Sequence, residues 1–567
     1  MRSYISAFAL LALGVTTPAS LSAQQSLPTP QPVAAVAETT AERPAPPRLI
    51  IAISVDQLSA DLFNEYRALF GGGLARLAGG AVFSQGYQAH AATETCPGHS
   101  VILTGSHPAR TGVIANNWFD LSLTRGDVRV YCSEDPSVAG TSSSSGRYAP
   151  SANFLLVPTL GDLMTAADAR TRVVSVAGKD RAAIMMGGRS ADETWWLSPS
   201  GLSTYRGTEA SEQVARISQA VVAAIGTARP ALTVPDQCAA RNHSVDIGGG
   251  RTVGTGRFER AAGNFRGFMA SPESDGAVLA AGASLAAAHQ LGRGPQTDLL
   301  ILGLSATDYI GHTYGTEGSE MCLQMLALDR ELGDFFTRMD ASGIDYAVVL
   351  TADHGGHDLP ERNRSNAMPG AERVDAALSP EALGTRIAAD LGITVTGPLI
   401  YGDGPFGDYY LNRSLSSADR ARVMAAVLAA LRAHPQVERV VLGSDLAAMP
   451  IPSRSPELWT VEERLRASYY AGRSGDLLVV LKPRVTPIPD PGVGYVATHG
   501  SVWDYDRRVP ILFWRAGMRG FEQPNPVLVA DIMPTLAGLA GLPINRDSID
   551  GRCLDLLAGP GTSCPAP

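Results

Sequence analysis

The sequence predicts an α/β fold with a mostly parallel central sheet, helices on both of its faces and inserted cap regions. Two observations support this prediction. Near-continuous apolar runs, rich in Ile, Val and Leu, recur along the chain in the manner of buried parallel strands. Segments whose apolar residues are spaced three and four apart separate these runs, as expected of helices.

Four of the apolar runs end next to charged or histidine side chains. They are residues 48–56, 172–177, 298–304 and 346–352. Because ligands of open α/β sheets bind beyond the carboxyl ends of the strands, we expect a site at this edge. Later strands are predicted at 476–481 and 509–514, and a closing helix at 527–542.

The predicted core has three parts, residues 48–186, 291–359 and 474–567. The stretches between them, 187–290 and 360–473, are loop-rich and irregular. We interpret both as insertions that form a cap over the strand ends.

The first 23 residues have the pattern of a signal peptide. Arg2 precedes a short apolar run, and small residues follow it up to Ala23. An N-terminal membrane anchor is the alternative, although the run is shorter than a spanning helix. Residues 24–47, rich in Pro, Ala and Thr, predict a disordered leader. We therefore expect a periplasmic or secreted protein with no membrane span after the signal is cleaved.

The composition restricts the partners of the chain. Lys and Arg number 46 against 55 Asp and Glu, and this net charge of −9 argues against nucleic acid as a binding partner. The six cysteines of an exported chain favour disulfides, and Cys553 and Cys564 are close enough in sequence to close a small loop. We expect a monomer. An anionic ligand would need a local positive field, which a metal site supplies.

Three aspartates and three histidines near predicted strand ends are candidate metal ligands: Asp56, Asp308, His312, Asp353, His354 and His499. Asp308 and His312 are four residues apart, which places both side chains on one face of a helical turn. Asp353 and His354 follow a strand and precede two glycines, so both can turn toward one pocket. Such a set supplies two three-ligand zinc sites, each left open for substrate.

The candidate nucleophile is Thr95, in the segment ATETCPGH at 92–99. Pro97 and Gly98 indicate a turn into a helix that begins near His99. A hydroxyl at a helix N-terminus lies near free backbone N–H groups, which favour an anion. A zinc ion would stabilise the alkoxide of this threonine. The alternative is a threonine that only caps the helix.

These motifs resemble those of the alkaline phosphatase superfamily, in particular its phosphodiesterase/nucleotide-pyrophosphatase branch. TCPGH from Thr95 and GVIANN at 112–117 are similar to the nucleophile segment of that branch. The Asp308/His312, Asp353-His354-Gly and His499-Gly motifs follow in the order of its metal ligands. The similarity covers most of residues 48–545. It is strongest to the secreted bacterial alkaline phosphatases of the sphingomonad type, which act on phosphate monoesters.

The resemblance implies an alkaline phosphatase with two Zn²⁺ ions per chain. One zinc would be held by Asp308, His312 and His499. The other would be held by Asp56, Asp353 and His354, with the Thr95 hydroxyl oxygen as a further ligand.

The same resemblance implies a phosphothreonine intermediate, formed by attack of Thr95 on phosphorus and hydrolysed by water. Asn116, Lys179 and Arg181 would hold the phosphoryl oxygens. Lys179 and Arg181 also follow an apolar strand, so we expect both at the same sheet edge as the metal ligands. Two Zn²⁺ (+4), three aspartates (−3) and Lys179 with Arg181 (+2) give the site a formal charge of about +3, which favours a monoester dianion over a diester monoanion.

Other functions compete with this interpretation. A phosphodiesterase or nucleotide pyrophosphatase would use the same metal ligands, because the branch contains both activities. A non-catalytic metal-binding protein usually lacks a ligand or the nucleophile, and all of these residues are present here. A sulfatase is disfavoured because Cys96-Pro97 lacks the spacing and the arginine of a C/S-x-P-x-R motif.

Overall fold

A central sheet of ten strands forms the framework of the protein. The computed structural model describes residues 45–366, 368–559 and 561–565. In chain order the strands are β1 Leu49–Val55, β2 Ala81–Tyr87, β3 Val173–Ala177, β4 Glu193–Ser198, β5 Gly201–Ser203, β6 Asp298–Leu304, β7 Tyr346–Thr351, β8 Arg508–Arg515, β9 Phe521–Gln523 and β10 Val527–Leu528. Their spatial order is β9-β2-β8-β7-β1-β6-β3-β4-β5, with β10 beside β2.

The pairing of these strands is mostly parallel. β7, β1, β6, β3 and β4 are neighbours that all run in one direction. β8 is antiparallel to β7 and β2, and β5 is antiparallel to β4. The α/β fold with a mostly parallel central sheet is therefore confirmed.

The three central strands are fully buried, as their apolar sequences predict. β1 (LIIAISV), β6 (DLLILGL) and β7 (YAVVLT) expose no residue to solvent. Their register pairs Val55 with Leu304 and Ser54 with Thr351. The residues that follow these three strands therefore leave the sheet at the same edge.

Helices connect the strands and complete the core. Those of eight or more residues are Thr95–Ile102, Leu160–Ala167, Asp180–Gly187, Glu212–Ile225, Pro272–Ala288, Ala306–Tyr314, Ser319–Ala341, Pro380–Leu391, Ser417–Ala433, Val461–Ser468 and Ile532–Ala540. The closing helix predicted at 527–542 is shorter than expected. Its first residues form β10 and a 3-10 turn, Val529–Asp531, because β10 pairs with β2.

A second, smaller sheet lies outside the central one. Its strands, all antiparallel, are in spatial order Ile400–Tyr401, Gly407–Leu411, Leu477–Leu481 and Val437–Leu442. Helices Pro380–Leu391 and Ser417–Ala433 contribute apolar side chains to the core of this sheet, which is separate from the main core. The domain boundaries stay predictions, and residues 193–203 add β4 and β5 to the central sheet.

Three disulfides use all six cysteines: Cys96–Cys132, Cys238–Cys322 and Cys553–Cys564. The third is the bridge that the sequence predicts. Among the described residues, no helix combines the length and the apolar character that a bilayer span needs. The predicted signal peptide, and the predicted leader up to residue 44, lie outside the described residues.

Candidate metal centre and nucleophile

The carboxyl edge of the central sheet brings the candidate ligands together. Asp56 directly follows β1, and Asp353 follows β7 after one residue. Asp308 lies in the first turn of helix Ala306–Tyr314, which follows β6. Because β1, β6 and β7 are parallel and in register, these three carboxylates converge. All three are buried.

Asp308 is the centre of one ligand group. Its Oδ1 lies 3.2 Å from Nε2 of His312, one helical turn later, and 3.2 Å from Nε2 of His499. The rings of the two histidines are 5.1 Å apart between centroids. His312, one helical turn away, and His499, from a distant loop, therefore meet around the Asp308 carboxylate.

His354 is the centre of the other ligand group. Its Nε2 lies 3.4 Å from Asp56 Oδ1 and 3.3 Å from Asp353 Oδ2. Its ring stacks on that of His499 at a centroid distance of 3.6 Å. The two groups are therefore neighbours, and ligand atoms of Asp308, His354 and His499 also lie within 4.8 Å of one another.

The orientation of the imidazoles fits metal binding. Nδ1 of His312, His354 and His499 each lies 2.8 Å from a backbone carbonyl oxygen, that of Ala497, Gly355 and Thr93 respectively. A carbonyl only accepts, so Nδ1 must carry a proton and donate. Nε2 is then the atom that faces the carboxylates and is available to a cation, as in many metal sites.

Unpartnered polar atoms give a second indication of a cation site. Four buried ligand atoms have neither a hydrogen-bond partner nor a contact with the Lys179 ammonium: Asp56 Oδ1, Asp308 Oδ1, Asp353 Oδ2 and His354 Nε2. Buried carboxylate oxygens without partners are costly, and metal coordination would satisfy them. Burial disfavours a charged imidazole, but Asp353 and Asp56 outweigh it and raise the pKa of His354 to about 9. A cation would replace the proton there.

Lys179 joins the two groups. Its ammonium lies 2.6 Å from Asp56 Oδ2 and 2.5 Å from Asp308 Oδ2, and the side chain is almost fully buried. Burial disfavours its charge, but Asp308 and Asp56 outweigh that effect and raise the pKa of Lys179. Burial likewise opposes ionisation of Asp308, yet His312 and Lys179 hold its pKa well below the usual value.

Thr95 is the first residue of helix Thr95–Ile102 and is buried beside both groups. Its Oγ1 accepts long hydrogen bonds from Lys179 Nζ at 3.5 Å and from Arg181 Nη2 at 3.4 Å. The positive end of the helix dipole adds to this field. The disulfide Cys96–Cys132 attaches the helix start to the strand that carries Tyr131.

Two tyrosines orient the segment that carries Arg181. The Tyr131 hydroxyl donates to Asp180 Oδ1 at 2.8 Å and accepts from Arg181 Nη1 at 3.5 Å. The Tyr148 hydroxyl donates to the other oxygen of Asp180 at 2.6 Å. No sequence motif marks these tyrosines: Tyr131 ends a three-residue strand, Arg129–Tyr131, and Tyr148 lies in the loop that follows.

Asn116 is held against the nucleophile segment by two hydrogen bonds. Its Oδ1 accepts a hydrogen bond from the backbone N–H of Cys96 at 2.8 Å, and its backbone N–H donates one to Glu94 Oε2 at 2.6 Å. Burial raises the pKa of Glu94 to about 7. Two residues of the same motif that the sequence does not mark as site residues also lie here: Glu94, directly before Thr95, and His99, whose Nδ1 lies 3.1 Å from Asp353 Oδ2.

His357 takes no part in either ligand group. Its Nε2 lies 3.2 Å from Thr486 Oγ1 and its Nδ1 lies 3.8 Å from Asp506 Oδ1. It therefore supports the loop after Asp353 and His354.

The family of the chain follows from comparison with known proteins. The model of the family described as type I phosphodiesterase/nucleotide pyrophosphatase matches residues 50–502, a span that contains all the site residues described above. The chain belongs to this family.

Curated relatives in this family match nearly the whole chain. The sequence is 57% identical to alkaline phosphatase PhoK of Sphingomonas sp over 522 residues, which is 92% of this chain and 93% of that protein. It is 48% identical to alkaline phosphatase PhoD of Zymomonas mobilis, with 94% of this chain and 92% of that protein covered. The crystal structure of alkaline phosphatase PafA superposes with a TM-score of 0.78 over 91% of this chain and 100% of that one, at 24% identity.

Because Lys179 lies between two carboxylates, we expect it to stabilise the metal-free protein. Lys179→Met, similar in length but neutral, leaves Asp56 and Asp308 without their shared cation. We expect the free energy of unfolding of the EDTA-treated protein to fall by about 3 kcal/mol, measured by urea denaturation. Lys482→Met, at an exposed lysine, is the control and should change it by less than about 0.5 kcal/mol. Equal effects of the two substitutions would contradict this account.

Proposed function

We propose that the chain is an alkaline phosphatase that hydrolyses phosphate monoesters, with Thr95 as nucleophile and two Zn²⁺ ions as cofactors. The convergence of Lys179 and Arg181 on the Thr95 hydroxyl, beside clustered carboxylates and imidazoles that could hold metal ions, supports this proposal most directly. The near-complete match to relatives named alkaline phosphatase supports the reaction class. Three disulfides are consistent with a periplasmic or secreted protein.

The donor set favours zinc in both groups. Imidazole nitrogens combined with carboxylate oxygens suit Zn²⁺, whereas Mg²⁺ and Ca²⁺ prefer oxygen alone. Asp308, His312 and His499 would hold one ion, and Asp56, Asp353 and His354 the other. When bound, such cations supply Lewis-acid chemistry that favours an ionised hydroxyl and a departing alkoxide.

The residues of the chain perform the positioning. Thr95 Oγ1 loses its proton to solvent, attacks phosphorus and breaks the P–O bond to the alcohol, which leaves after taking up a proton from water. Water then attacks the phosphothreonine, breaks the Oγ1–P bond and releases inorganic phosphate and the Thr95 hydroxyl. Lys179 and Arg181 neutralise negative charge on Oγ1 and on the phosphoryl oxygens, and the planar guanidinium of Arg181 can donate to two oxygens at once. The Cys96 N–H holds Asn116 Oδ1, which leaves the amide NH₂ group to donate to a third oxygen.

The second candidate is a phosphodiesterase, because the description of the family names that activity. Lys179 and Arg181 favour the monoester, since a monoester dianion gains more from two cations than a diester monoanion does. We expect kcat/KM for p-nitrophenyl phosphate to exceed that for bis-p-nitrophenyl phosphate by at least about tenfold. A preference for the diester would show that the second candidate is right.

The role of Thr95 predicts a separation of activity from metal content. Thr95→Ala should lower kcat for p-nitrophenyl phosphate by about 10³-fold or more while the protein keeps about two zinc ions per chain by elemental analysis. Thr95→Ser, which retains a hydroxyl, is the matched control and should keep much of the activity. Full activity in Thr95→Ala would exclude Thr95 as nucleophile. If the variant also lost zinc, its lower activity would be attributed to the missing metal and not to the missing hydroxyl.

A further inference from the structure

The cavity next to Thr95 is larger than a phosphoryl group requires. Its volume is about 480 Å³, and Asn116, Arg181, His312 and His499 line the part beside the two ligand groups. Cavities of about 300–1,000 Å³ accommodate drug-sized molecules. The remaining space is large enough to receive the leaving alcohol of an ester.

Phe406 forms one wall of this remaining space. It lies in the loop between strands Ile400–Tyr401 and Gly407–Leu411 of the smaller sheet, and it is half-buried. A Cβ atom added to Gly500 would lie 3.2 Å from Phe406 Cζ and 3.5 Å from Glu94 Cγ. The edge of the ring is thus adjacent to the residue that follows His499 and near the residue that precedes Thr95.

Tyr495 provides a second aromatic surface at the same ligand group. Its ring centroid lies 5.0 Å from that of His312, and its hydroxyl donates to Thr498 Oγ1 at 3.2 Å. The side chain is exposed and lines the cavity together with Phe406. Two aromatic rings therefore flank the Asp308, His312 and His499 group, where the oxygen of the leaving alcohol would depart.

We propose that Phe406 and Tyr495 form a leaving-group subsite that selects monoesters of alcohols with a flat ring, such as aryl alcohols and nucleosides. The subsite rests on the proposed monoesterase function. It makes the smaller sheet a determinant of specificity, since that sheet supplies Phe406. Aromatic contacts of this kind change binding by about 3–10-fold.

The test compares two esters that differ in the ring. For the metal-loaded enzyme, we expect Phe406→Ala to lower the ratio of kcat/KM for benzyl phosphate to that for methyl phosphate by about 3–10-fold. Phe406→Trp, which keeps a flat ring at this position, should leave the ratio unchanged. Val222→Ala, at an exposed position on helix Glu212–Ile225, is the surface control. Adenosine 5′-monophosphate in place of benzyl phosphate tests whether a nucleoside is accepted in the same way.

A binding measurement separates failure of this subsite from failure of the proposed function. Calorimetry on the metal-loaded protein gives Kd for phenylphosphonate and methylphosphonate, neither of which is a substrate for ester hydrolysis. We expect Phe406→Ala to weaken phenylphosphonate by about 3–10-fold relative to methylphosphonate. If neither ester is hydrolysed but this difference is found, the subsite stands and the monoesterase function fails. An unchanged ratio in both measurements would overturn the subsite.

Discussion

The convergence of three buried carboxylates with three imidazoles, of which His354 and His499 are buried, is the constraint on which the rest of this structure depends. Each buried carboxylate costs several kcal/mol unless it is paired. Lys179 neutralises part of this charge, yet oxygens of Asp56, Asp308 and Asp353 still lack hydrogen-bond partners. Cations bound to these atoms would remove the deficit. They would also free the ammonium of Lys179 to face the Thr95 hydroxyl and a phosphoryl group.

The fold satisfies this constraint through strand register and a few tethers. Parallel pairing of β1, β6 and β7 delivers the three aspartates to one edge. His499 comes from a loop more than four hundred residues after Thr93, and the contact of its Nδ1 with the Thr93 carbonyl connects that loop to the nucleophile segment. The smaller sheet then places Phe406 over the same region. In the proposed function, the edge of the central sheet therefore carries the catalytic residues, and the smaller sheet carries the residue that selects the alcohol.

The parts of the account that the sequence could predict depend on local patterns. Apolar runs that end in charged residues indicated the central strands and the edge of the sheet where the candidate ligands lie. The spacing of Asp308 and His312 indicated that both side chains could bind one metal ion. Contacts decided by distant segments could not be predicted in this way. Tyr131 lies in a strand of only three residues and Phe406 in a loop, and neither segment has a periodic signal. The Cys238–Cys322 pairing depends on how two remote segments pack. The short strand β10 replaced the start of the predicted closing helix for the same reason, because its partner β2 is remote in sequence.

Anomalous diffraction from crystals of the zinc-loaded protein, recorded on both sides of the zinc absorption edge, tests the central claim most directly. We expect two zinc peaks at the carboxyl edge of the central sheet. One should lie within about 2.0–2.2 Å of ligand atoms of Asp308, His312 and His499, and the other within the same distance of Asp56, Asp353 and His354. A single peak, or peaks away from these six side chains, would contradict it.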